Sequence, residues 1–152
     1  MNTTENDKLI AEFLEWKFKP NFNCYVIPFN YVDYLDGTPF INKICHVENL
    51  QFNTDWNWLM QVVEKIETTS YNVPENIQRG YMKNTLKATG VINSYYNDRS
   101  EFLGWSSSAW LGTKTIFDST MLGEDIERYN TKIEAVYNAC VEFIKWYNEQ
   151  NK

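Results

Sequence analysis

The stretch Ile126-Glu127-Arg128-Tyr129-Asn130-Thr131-Lys132-Ile133-Glu134-Ala135-Val136-Tyr137-Asn138-Ala139-Cys140-Val141-Glu142-Phe143-Ile144-Lys145-Trp146-Tyr147 decides the fold. Its residues Ile126, Tyr129, Ile133, Val136, Tyr137, Cys140, Phe143, Ile144 and Tyr147 recur three or four positions apart. That is the spacing of one face of an α-helix, so the stretch predicts a long C-terminal helix with one buried face. Thr131 and Glu134 have capping-box spacing. The apolar stripe already begins at Ile126, however, and this places the expected start near Leu122-Gly123.

Upstream, Asn53, Thr54 and Asp55 supply polar caps before Trp56, Leu59, Met60, Val62, Val63 and Ile66, which predicts a second helix running to Glu67. Trp56 and Trp58 are two apart, so both cannot face a core squarely, and one is expected to be half exposed. At the other end of the chain Leu9, Ile10, Phe13 and Leu14 predict a first helix of about three turns. Thr3, Thr4, Asn6 or Asp7 would cap it and Pro20 would stop it. Between these helices, Cys24-Tyr25-Val26-Ile27 and Ile44-Cys45-His46-Val47, the latter followed by Leu50 and Phe52, have the β-branched and aromatic character of strands. The turn Asp36-Gly37-Thr38-Pro39 separates them, so an antiparallel pairing is expected. Residues 70–100 carry no clear pattern, whereas Phe102 to Phe117 suits strands around Gly104 and Gly112.

A chain of 152 residues sustains one core, and its 43% hydrophobic and 16% aromatic content repays the entropy of ordering a backbone. No apolar run approaches the roughly 20 residues that cross a bilayer, and the first eight residues have no basic-then-apolar leader pattern. Three cysteines, Cys24, Cys45 and Cys140, sit apart among apolar neighbours. They read as reduced thiols, so a cytoplasmic setting is expected. A net charge of −6 without clustered Lys and Arg argues against a nucleic-acid partner and leaves Lys83, Lys87 and Arg99 as cations that could gather in the middle segment.

Catalytic signals are sparse. With His46 the only histidine, two-histidine metal centres are excluded, and neither a metal nor a cofactor is expected. A Cys-His dyad requires Cys24 or Cys140 to meet His46 in space, because Cys45 on the same strand belongs to the opposite face. Asp33, Asp36, Glu48 and Asp55 match no metal-loop spacing, and turn and cap chemistry accounts for Asp36 and Asp55. The nucleotide-binding glycine motifs and the hydrolase nucleophile elbow are absent. The string Gly104-Trp105-Ser106-Ser107-Ser108-Ala109-Trp110 sets aromatic faces beside hydroxyls, the combination that stacks on and hydrogen-bonds a base or sugar. If it runs as one strand, Trp105, Ser107 and Ala109 share a face.

Three strings, Lys8 to Lys17, Asp55 to Glu67 and Lys132 to Asn148, together resemble the phage ABA sandwich family of small phage and prophage proteins of the Bacteroidetes type. They cover a little over a quarter of the chain. The resemblance implies helices layered on a sheet, in line with the element order read above. The expectation is therefore an α+β chain: a single domain over residues 1–152, a layered α/β sandwich with a mainly antiparallel sheet and a long C-terminal helix. The family supplies no catalytic residues. The function expected from this combination is a non-enzymatic phage or prophage binding protein in the bacterial cytoplasm. It would sequester a nucleotide-type defence signal or inhibit a host protein. Trp105, Trp110, Tyr95 and Lys87 are its ligand-binding candidates. The alternatives are a homo-oligomeric, virion-associated or regulatory assembly subunit, and a small enzyme acting on a phosphorylated substrate through Asp33, Asp36, Glu48 or Cys45-His46.

Overall fold

Helix α1 (Thr3–Phe13) closes through hydrogen bonds that no proline supplies. Glu15 adopts left-handed backbone at φ 63°, its N–H donates to the Glu12 carbonyl at 2.9 Å, and the Trp16 N–H reaches back to the Ala11 carbonyl at 3.0 Å. This is a Schellman termination, and Ala11 and Trp16, which its longer bond joins, are both buried. The helix thus ends well before Pro20, contrary to the sequence expectation. It also already contains Thr3 to Asp7, so the expected caps lie inside its first turns.

These features come from a computed structural model that describes residues 3–28, 44–68, 94–96, 102–105, 108–111, 114–118 and 129–151. The chain is of the α+β class and divides into two compact units, Met1–Phe52 and Asn53–Lys152.

In the first unit, reversal after α1 produces a strand that the sequence did not announce, β1 (Lys17–Lys19), followed by a 3-10 turn at Pro20–Phe22 and β2 (Cys24–Val26). Strand β3 (Ile44–His46) completes an antiparallel sheet of order β1-β2-β3, the pairing expected for its last two members. The register aligns Lys17 with Val26 and Val26 with Ile44, then Phe18 with Tyr25 and Tyr25 with Cys45, then Lys19 with Cys24 and Cys24 with His46. Side chains alternate between faces along a strand, so the first and third rows share one face and the Tyr25 row has the other. Tyr25 is buried, packs its ring 5.0 Å from that of Phe18, and burial beside the Glu12 carboxylate of α1 pushes its hydroxyl up to about 12. Trp16 and Phe52, 5.4 Å between ring centroids, close the core of this unit with Ile10, Leu14, Val47 and Leu50.

In the second unit, α2 (Trp56–Thr68) starts where the sequence places it. The Asp55 carboxylate accepts the Asn57 N–H at 2.7 Å and its carbonyl accepts the Leu59 N–H at 3.1 Å, the expected cap. Leu59, Val62, Val63 and Ile66 are buried, and of the two tryptophans Trp56 is the exposed one. Strands β4 (Ser94–Tyr96) and β5 (Phe102–Trp105) form one antiparallel pair, β6 (Ser108–Leu111) and β7 (Lys114–Asp118) another.

Helix α3 (Lys132–Gln150) begins at the capping pair and not near Gly123. Thr131 Oγ1 accepts the Glu134 N–H at 3.3 Å, and the Glu134 carboxylate accepts the Asn130 N–H at 3.1 Å. These bonds satisfy N-terminal donors that an apolar stripe cannot, which is why hydrogen bonding and not periodicity sets the boundary. Tyr129, one member of that stripe, is buried without being helical. α3 packs against α2 and also against β6 and β7, so every residue from Ala135 to Val141 is buried and the helix is covered all round at its middle.

Candidate functional site

Of the four residues singled out for ligand binding, three lie in described strands, each in a different one. Tyr95 lies in β4 and Trp105 in β5, in neighbouring cross-strand pairs: Ser94 faces Trp105 and Tyr95 faces Gly104. Trp110 lies in β6 opposite Thr115, in the other two-stranded sheet, and Lys87 lies outside the described residues. The described residues of the string from Gly104 to Trp110 belong to two strands in different sheets. β5 pairs back to β4 and β6 pairs forward to β7, because each short strand finds its partner nearest in sequence.

The structure does bring Cys24 and His46 together, as directly opposed residues of β2 and β3. The backbone condition for a Cys-His dyad is met, yet Cys24 is only 2% exposed while His46 is exposed, so the thiol is closed to a substrate. Cys140 is closed too. Burial, reinforced by the nearby Glu67 carboxylate, pushes its thiol up to about 12, leaving no thiolate at neutral pH. Glu67 is itself raised by burial. Cys45 is half-buried, and its thiol donates to the His46 carbonyl at 3.5 Å. Of the carboxylates, Glu48 is exposed on the 3-10 turn Val47–Asn49, Asp55 serves as a helix cap, and Asp33 and Asp36 lie outside the described residues. Among the described residues no three His, Cys, Asp or Glu side chains gather as metal ligands. No helix among them is long and apolar enough to cross a membrane.

What stands out physically is the hairpin tip joining β1 to β2, a site that residue-type reasoning passed over. All residues from Lys17 to Asn23 are exposed, and among the described residues Phe22 is the most exposed of the large apolar side chains at 71%. Its turn is held on both sides. Pro20 presets the backbone at the first position of the turn, and Asn23 sits at φ 46°, ψ 47°, a conformation asparagine tolerates better than most residues. The Asn23 N–H donates to the Pro20 carbonyl at 3.3 Å while its own carbonyl accepts the Val47 N–H at 3.1 Å. Phe18 is also exposed, and on the face shared by the first and third rows stand Lys17, Lys19, His46 and the 60%-exposed Ile44. The only sequence signal for this site was the Pro-Asn-Phe-Asn turn chemistry between a lysine-bearing segment and a strand.

No protein-family model matches the chain, no curated protein matches it, and no solved structure matches its fold.

Proposed function

We propose that the chain is a non-enzymatic binding protein, of the phage or prophage kind that its three quoted strings resemble, and that it acts by inhibiting another protein through the β1–β2 hairpin tip. The observation that carries this reading is Phe22, exposed on a turn whose backbone is tied at both ends. An aromatic side chain held in water on a pre-ordered turn loses little further conformational entropy when it binds. Native mass spectrometry of the protein purified from the cell that makes it tests the reading. A retained partner mass in the wild type that is lost in Phe22→Ser supports it, and identical spectra for the two overturn it.

Capture of a nucleotide-type ligand is the second reading, favoured by the register that sets Ser94, a hydroxyl residue, directly opposite Trp105 in the β4–β5 ladder, while Tyr95 falls on the other face. The same spectra separate it from the first. A retained mass of nucleotide size that disappears in Trp105→Ala but persists in Phe22→Ser selects this alternative.

A further inference from the structure

We infer that residues 17–23 form a plug for a folded partner protein, with Phe22 entering an apolar cleft whose rim carries carboxylates that pair with Lys17 and Lys19. This rests on the binding reading above and names the chemistry of the partner.

Shape comes first. The four residues Pro20 to Asn23 project beyond the terminal Lys19–Cys24 pair, and Phe22 stands in solvent at their end. A protruding side chain fills a pocket and does not make one, whereas small-molecule sites are concave and enclose most of their ligand. The occupant that fits is a macromolecule with a cleft of its own. Aromatic residues are over-represented among the few side chains that dominate protein interfaces, and a pre-ordered turn avoids the ordering cost that weakens flexible loops.

Charge gives the chemistry of the rim. The chain carries a net −6, yet no Asp or Glu occurs from Trp16 to Val32, and Lys17 and Lys19 are both exposed. The register puts these lysines on the sheet face that also holds Ile44 and His46, with Lys19 and His46 in the row next to the tip and Lys17 and Ile44 two residues further back; exposed Glu48 follows Val47, whose N–H donates to the Asn23 carbonyl. An acidic rim around an apolar floor is the complementary surface. Opposed charges at a rim mainly speed association and select partners, while the buried anchor governs dissociation.

The test is to replace Phe22 with a benzoyl-phenylalanine photo-crosslinker in the full chain, in the cell that makes it, with the same replacement at exposed Glu64 of α2 as the control. The protein joined at position 22 is identified and purified, and its binding to wild type, Phe22→Ala and Lys17→Glu/Lys19→Glu is measured by surface plasmon resonance. Expected are a product specific to position 22, affinity weakened at least about 30-fold by Phe22→Ala, and association slowed about tenfold by the double charge reversal. Wild-type association should also fall as salt rises, and Lys17→Arg/Lys19→Arg should retain it. Unchanged thermal melts show that the variants fold. No product at position 22, equal products at 22 and 64, or a partner indifferent to Phe22→Ala overturns the plug. If native mass spectrometry still shows a retained partner in that case, the plug alone has failed; if no species is retained in any variant, the binding reading has failed as well.

Discussion

The hairpin tip at Phe22 and the middle of α3 spend their residues in opposite ways. At the tip a phenylalanine stands 71% in water on a turn whose backbone hydrogen bonds are made. In α3 a polar residue, Asn138, is 2% exposed among apolar neighbours; its amide N–H donates to the Glu134 carbonyl at 2.9 Å and its Oδ1 has no hydrogen-bond partner. Exposed apolar surface costs little stability once the backbone is satisfied, whereas a buried polar atom without a partner costs the desolvation of that atom. The comparison separates residues that hold this protein together from residues free to act on something else.

Truncating one side chain in each region should give the largest difference in stability. Phe143, fully buried and 5.5 Å in ring separation from Trp146, should lose about 3–5 kcal/mol on change to Ala, through lost burial and the cavity left behind. Phe22→Ser should stay within about 0.5 kcal/mol of wild type. Urea unfolding measures both, and a comparable loss at Phe22 would show that the tip is structural.

A second effect concerns alkaline pH. Burial holds Cys140 at about 12 against an ordinary 9.0, and burial with the Glu12 carboxylate holds Tyr25 at about 12 against 10.0. The unfolded chain therefore releases these protons first, so stability is intact below pH 9 and falls as pH rises from 9 toward 12. Cys140→Ala should flatten the part of the decline that starts near pH 9 and leave the part due to Tyr25. Thermal melts between pH 8 and 11 decide this, and an unchanged slope would remove Cys140 as its cause.

Smaller effects sharpen the helix ends. Thr131→Ala removes the acceptor for the Glu134 N–H and should cost about 1 kcal/mol. Glu15→Gly relieves left-handed backbone at a non-glycine residue and should stabilise by about 0.5–1 kcal/mol, a rise in melting temperature that calorimetry can read. If Thr131→Ala leaves the melting temperature unchanged, the start of α3 is held by packing and not by its cap.

Much of the architecture was legible because local physics sets it. Asp55 before an apolar stripe announced α2, β-branched and aromatic residues announced β2 and β3, and glycine-spaced aromatics announced strands between Phe102 and Phe117. Strand β1 was not legible, since Lys17-Phe18-Lys19 is too short to display alternation and follows directly on a helical pattern. The candidate site was legible only as residue types. Tyr95, Trp105 and Trp110 were chosen because aromatics can stack, but which ladder each joins depends on strand pairing, which composition does not encode.

Periodicity, capping chemistry and composition were enough for the α+β class, the Asp55-capped start of α2 and the local sign of charge around residues 16–32. Packing between distant segments decided that the middle of α3 is buried all round, that Cys24 faces His46 yet is closed to solvent, and that Phe22 is left in water while Tyr25, three residues on, is fully buried. Exposure is a property of what packs over a residue, and that depends on contacts between segments distant in the chain.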